Sequence, residues 1–302
     1  MKYAKPALTV EQQVDQLLRR GMIIQDRERA AHHLHHINYY RLRAYWLPDE
    51  VSSPVQGDHL FRPGTDFDDI IDLYSFDRKL RLLVMDAIER VEVSLRTRWA
   101  HVLALRYGAH AYLDPALFRK PAQHAKCVEK LKEELQRSHE TFVLHYRKTY
   151  TEPELPPFWG ICELLSFGQL SLWFQNLADG ADRVEIARPY GLDEQIIKSF
   201  AHHLTYVRNV CAHHSRLWNR EMTIGMKVPA KPEWLGAAFN TEMPKRMHNT
   251  LVMLAYMLGI ISPGTHWPEH LLALLNEHPK VDVAAMGFPA LWRESPIWEG
   301  AA

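Results

Sequence analysis

Between His202 and Arg220 the chain reads HHLTYVRNVCAHHSRLWNR. This string sets Arg208 beside Asn209 and His213 beside His214, then adds Arg216, Asn219 and Arg220. Residues 195–220 also hold Lys198 and no acidic residue. These residue types suit cleavage of RNA without a metal. An imidazole ordinarily titrates near neutrality, so His213 can take the proton of a ribose 2′-OH or return one to the leaving oxygen. A guanidinium grips phosphate with two parallel hydrogen bonds and offsets charge that builds in the transition state, a role open to Arg208. The products would be a 2′,3′-cyclic phosphate and a 5′-OH, and DNA, lacking the 2′-OH, would be spared.

Spacing alone is a weak signal. Arg-x4-His occurs four times, at Arg27/His32, Arg96/His101, Arg119/His124 and Arg208/His213, and only the last has Asn directly after Arg. In a continuous helix Asn209 and His213 share a face and could hydrogen-bond. Arg208 and His213 then stand about 140° apart. Three resolutions are open: the helix breaks near His213, Arg208 reaches around, or two copies of the segment face each other in a symmetric dimer. The same residues could equally form a buried hydrogen-bond network or a subunit contact.

The elements that must position these groups read as helices. Val10 to Gly21 keeps Val14, Leu17 and Leu18 on one face, and Gly21 suits a C-terminal cap. Asp26 caps the next helix, through Ala30, Leu34 and Ile37. Residues 48–65, with three Pro and two Gly, read as a loop. Thr65 or Asp66 opens a stretch to Tyr107 with apolar positions at near-3.6 spacing; its length predicts a kink or break near Ser75. Residues 121–150 predict one charged helix, and Phe158–Leu177 an apolar one. Asp193 caps a helix running toward Leu217. Pro244–Leu258 and Pro268–Leu275 are the last clear helices, and the Trp- and Pro-rich tail reads as an irregular strap. No alternating strand run of useful length and no internal repeat is present, so the fold class is all-α, a helical bundle.

The 302 residues carry 36 Lys+Arg against 36 Asp+Glu, giving no net charge. That balance disguises blocks of alternating sign: acidic over 48–77 and 151–194, basic over 1–47 and 195–220. A basic cleft on a neutral surface therefore stays possible. Three cysteines, far apart, make neither a disulfide framework nor a CxxC zinc site, which fits a reducing cytoplasm. The N-terminus lacks a signal peptide's apolar region, and no apolar run spans a membrane. Phosphate-binding Gly loops, GxSxG and HExxH are all missing.

The string Arg208-Asn209-Val-Cys-Ala-His213-His214-Ser-Arg216-Leu-Trp218-Asn219-Arg220 resembles the signature of Abi-like (AbiD/AbiF) proteins, bacterial abortive-infection factors. Ile37–Leu42, Leu73–Arg81, Pro157–Trp159 and Leu165–Gly168 agree in order, and the likeness covers roughly residues 10–225. That family falls in the HEPN superfamily. The resemblance implies a HEPN-type bundle over 61–225 with a helical insertion near 109–157, preceded by N-terminal helices over 1–60 and followed by a C-terminal helical extension over 226–302. It further implies a metal-independent endoribonuclease with no cofactor, acting as a toxin-like effector, with Arg208, Asn209 and His213 as catalytic groups. Glu89 and Glu92 on the first bundle helix, with Arg96 and His214, are implied as catalytic support; an ordinary Glu92–Arg96 ion pair is the competing role. A homodimer with a composite site and a small structured RNA as antitoxin or regulator are implied partners. Arg216, Asn219 and Arg220 would contact RNA.

Two other constellations stand out. Tyr40, Arg41 and Arg43 mix an aromatic ring with cations, which suits RNA stacking and phosphate contact, or core tyrosines with rim arginines. His32 and His36, at i, i+4, could hold a metal, though no third ligand lies nearby in sequence. The alternatives to a nuclease are thus a non-catalytic HEPN module binding RNA or protein, and a metal-dependent hydrolase built on His32–His36.

Overall fold

The computed structural model describes residues 6–52 and 59–299. Helix dominates: α1 (Val10–Arg19), α2 (Arg27–His36), α3 (Tyr39–Trp46), α4 (Phe67–Tyr107), α5 (Pro121–Arg137), α6 (Thr141–Thr149), α7 (Phe158–Ile161), α8 (Phe167–Asn176), α9 (Gly180–Ala187), α10 (Glu194–Ala212), α11 (Glu233–Ala237), α12 (Met247–Ile261) and α13 (Trp267–Glu277). The fold is all-α. Its strands among the described residues are β1 (Glu50–Ser52) and β2 (His59–Phe61), an antiparallel pair inside the stretch expected as plain loop. Residues 53–58 of that loop lie outside the described residues.

The chain divides into two compact units, residues 1–81 with 273–282, and residues 82–272 with 283–302. The division cuts α4 and α13. In the first unit α1, α2, α3 and the start of α4 enclose Leu17, Leu42, Trp46 and Phe67. Arg20 and Arg43 both pair with Glu50, which is almost wholly buried. Deeper in, Asp77 accepts from Arg81 and from the Tyr45 hydroxyl (2.6 Å).

In the second unit α8 lies along α10, with α5 and α9 against them. Helix α10 buries Ile197, Phe200, Leu204, Val207 and Cys211, the 3.6-residue stripe of a helix with one face in the core. Trp99, Tyr112, Phe158 and Trp173 form a ring-on-ring cluster beneath it. The body of α12 is buried almost throughout. Two histidines in this unit are structural. The His203 Nδ1–H donates to the Ile224 carbonyl (2.6 Å) and its Nε2 faces the Thr250 hydroxyl (2.8 Å). His248 donates from Nε2 to the Ala238 carbonyl (3.0 Å). Burial holds both imidazoles down at about 4.

Several expectations are corrected. Helix α4 runs unbroken through Ser75, whose hydroxyl bonds back to the Ile71 carbonyl (2.9 Å); such back-bonding satisfies a mid-helix Ser without interrupting the ladder. The 121–150 helix is two, α5 and α6, parted at residues 138–140. The 158–177 helix is also parted, because Ser166 starts α8 with a capping box to Gln169. The Asp193 cap is as expected, its side chain accepting from Gln195 N–H (2.8 Å), but α10 ends at Ala212 rather than near Leu217. The tail holds two short 3-10 turns that bury Trp292 and Trp298.

Candidate nuclease site on the end of helix α10

The end of α10 sets the site's shape. His213 is the C-cap, and its N–H donates to the Asn209 carbonyl (3.0 Å). His214 follows at φ 55, the left-handed region. The N–H of His214 donates to the Cys211 carbonyl (2.9 Å) and that of Ser215 to the Val210 carbonyl (2.9 Å). This is the 6→1, 5→2 pair of the Schellman motif, in which the left-handed position is usually Gly. The helix break is thus the first of the three geometric resolutions. Asn209 and His213 are joined through backbone; among the described residues no side-chain hydrogen bond links them.

Arg208, Asn209 and His213 are all exposed. Arg208 projects its charge onto Glu92 of α4. Glu92 is also bonded by Arg96 at i+4, which donates in addition to the Leu165 carbonyl (2.6 Å) and lies 3.9 Å from Glu163. Burial raises the Glu92 carboxyl above its ordinary value, against the opposing pull of Arg96 and Arg208. Arg96 pins this half-buried carboxylate, and Arg208 acts on it through charge alone, with no ion pair or hydrogen bond between Arg208 and Glu92 among the described residues. Glu89 is exposed on the same helix.

Beyond the break, residues 213–224 return across the unit under close tethering. Leu217 and Trp218 are buried, and the Arg216 guanidinium lies 6.0 Å from the Trp218 ring centre. Arg220 Nε donates to the Arg216 carbonyl (2.6 Å), and its Nη1 to the Tyr206 hydroxyl (3.4 Å). Asn219, at φ 48, accepts from Arg246 on both its carbonyl (3.0 Å) and its side-chain oxygen (2.7 Å). Met222 N–H donates to the Lys245 carbonyl (2.8 Å), and the Ile224 carbonyl is held by His203. The amide oxygen of Asn219 is therefore engaged in shaping the loop.

Tyr206 was not singled out in the sequence, yet it lies one turn before Asn209 on α10. Burial pushes its phenol up, but hydrogen bonds from Thr223 and Arg220 and the Arg220 charge outweigh that, leaving it below the ordinary tyrosine value. The sequence signal was the i, i+3, i+7 spacing of Tyr206, Asn209 and His213.

The remaining candidates lie in the first unit. Tyr40 is 73% exposed, Arg41 is half-buried, and Arg43 is held by Glu50 through two hydrogen bonds (3.2 and 3.0 Å). The His32 and His36 rings stand 4.8 Å apart. Among the described residues no three His, Cys, Asp or Glu side chains gather as a metal would require, so the metal-hydrolase alternative finds no third ligand there. The three cysteines are buried and form no disulfide. No helix among the described residues is long and apolar enough to cross a membrane.

In the Arg119/His124 pair the histidine is structural. His124 is buried, donates from Nε2 to the Tyr112 carbonyl (2.8 Å) and stacks on Phe118. Comparison with curated proteins and with solved structures found no match. The Abi-like protein family model matches residues 32–219, starting later than the residue 10 expected. That span takes in α3, α4, α8 and α10 and stops at Asn219, just past the cap and loop described above; over this majority of its length, the chain belongs to the Abi-like protein family.

Proposed function

We propose that the chain is a HEPN-type, metal-independent endoribonuclease acting in abortive infection, with Arg208 and His213 as its reacting pair. The observation that carries this reading is the end of α10. An exposed imidazole sits at a helix break, and the exposed guanidinium five residues before it acts through its charge on Glu92, the partner of Arg96, in a segment with no acidic residue. His213 would move the 2′-OH proton, Arg208 would bind the phosphate, and Asn209 would hold the turn through its carbonyl. Glu92, held by Arg96, would draw Arg208 toward it through its charge. Tyr206 and Arg220 supply a second cationic, hydroxyl-bearing edge. A homodimer that places two such ends at one cleft would double these groups, and a structured RNA partner would occupy the same cleft.

The test is cleavage of single-stranded RNA in EDTA by wild type, Arg208→Ala and His213→Ala, with light scattering for the dimer. Wild type should cut and leave 2′,3′-cyclic phosphate ends, while each variant loses about 10²–10⁴-fold. Cleavage undiminished in both variants sinks the assignment. RNA binding by a wild type that never cuts favours the non-catalytic module instead.

A further inference from the structure

A second cationic site lies in the same unit, away from the end of α10. A cavity of about 230 Å³ is lined by Arg119, Lys120, Gln123, Gln175, Asn176 and Lys198. At about 30 Å³ per water, it admits a group of phosphate size. Its cations come from two places in the chain: Arg119 and Lys120 precede α5, and Lys198 is on α10. Among the described residues none of the three is in an ion pair, and no carboxylate lines the cavity. Three like charges around one hollow repel unless an anion joins them.

The hollow is held rigidly. Asn176, 4% exposed, accepts from Lys120 N–H on its side-chain oxygen (2.9 Å), accepts from Arg119 N–H on its carbonyl (2.8 Å), and donates from its side-chain amide to the Lys120 carbonyl (3.2 Å). The bridge between Phe118 and Leu177 extends this clamp. Gln175 is oriented by the Ser171 hydroxyl (2.9 Å). Arg119 and Lys120 are thus aimed by backbone fixed on α8, and two amides complete a donor set suited to phosphate oxygens. The first turn of α5 also opens here without a side-chain cap or an acidic residue.

We propose that this cavity binds a backbone phosphodiester of single-stranded RNA, as a subsite distinct from the reacting groups. Lys198 and Arg208 belong to one helix, ten residues or about 15 Å apart along its axis, a span that a few nucleotides cover. The assignment rests on RNA as the substrate. It explains the one cation of the acid-free 195–220 stretch that the α10 end and its loop leave unused.

The test is a salt titration of binding to fluorescein-labelled 2′-O-methyl oligouridine, which 2′-oxygen attack cannot cut. Arg119→Ala/Lys198→Ala is compared with wild type and with the exposed control Lys231→Ala, all checked for unchanged circular dichroism. The double variant should bind about tenfold more weakly at low salt, as loss of a charged hydrogen bond implies. Its log K against log salt slope should be shallower by about 0.7 per phosphate released, and the control should match wild type. Wild-type affinity and slope in the double variant overturn the proposal, as does a wild type that binds no strand. Inorganic phosphate raising the melting temperature of wild type alone, with RNA binding equal in both, assigns the cavity to a free anion and overturns the RNA subsite. Because the strand is uncleavable, a chain that shows the expected slopes yet fails the EDTA cleavage assay loses the nuclease assignment and keeps this one.

Discussion

Two polar clusters, made of similar residues, are built in opposite ways. Tyr45, Asp77 and Arg81 in the first unit are sealed: Asp77 is fully buried and Arg81 is 5% exposed. Arg208, Asn209 and His213 in the second unit are open to solvent, and Arg208 acts through its charge on the Glu92 that Arg96 pairs with. Both clusters fall within the span matched by the family model. A sealed cluster can only maintain structure, since any ligand would have to displace a protein partner from a desolvated site. An open one has hydrogen-bonding capacity left for a substrate. Burial separates a cluster confined to the scaffold from one open to a ligand.

The largest effect should come from breaking the sealed cluster. Asp77→Ala leaves Arg81 buried without its carboxylate and should cost about 3–5 kcal/mol in urea unfolding. Arg208→Ala, exposed, should change stability by no more than about 0.5 kcal/mol while removing cleavage. Equal destabilisation by the two would dissolve the contrast.

The next effect separates buried from exposed histidines. His203 and His248 are held at about 4 in the folded chain against 6.5 ordinarily. Between those values the unfolded chain binds more protons than the folded one, so stability is full above about pH 6.5 and falls as pH drops toward 4. The loss amounts to roughly 3 kcal/mol per group. Urea midpoints taken from pH 7 to pH 4.5 should decline, and His203→Gln should flatten the decline. A wild-type midpoint that holds steady over that range would place these imidazoles in contact with water.

The smallest effect concerns His214. A non-glycine residue in the left-handed region costs about 1 kcal/mol relative to Gly. His214→Gly should therefore raise the melting temperature slightly while leaving the α10 cap in place. A drop in stability would show that the His214 side chain holds the cap.

Helix starts were the most legible feature of the fold. Asp26 and Asp193 cap where their side chains predict, and Gly21 and Gly108, at φ 91 and 93, end helices as glycine does. Breaks without Gly or Pro were not legible. Ser138–Glu140 parts two helices with residues that a helix tolerates, and His214 takes a position where Gly would have announced the end of α10. The Ser166–Gln169 capping box was readable and overlooked. Of the site, Arg208, Asn209 and His213 were legible as a string. The charge interaction of Arg208 with Glu92 was not, because it joins two helices whose pairing no local pattern encodes; Glu92 stands out in the sequence only through family resemblance. The Tyr45–Asp77–Arg81 cluster was likewise invisible, since burial is what defines it.

The tethers on residues 213–224 bear on how quickly and how tightly a strand could be seized. Ordering a free loop costs about 1–2 kcal/mol per residue, and a binding site on such a loop charges that cost against every association. Here the helix cap, Arg246 on Asn219, the Met222–Lys245 bond and His203 on Ile224 impose that order during folding. Under the proposed function, an incoming polynucleotide would meet groups already immobilised, so encounter would lead to capture without a slow rearrangement of the protein, and the affinity gained would not be diluted by loop entropy.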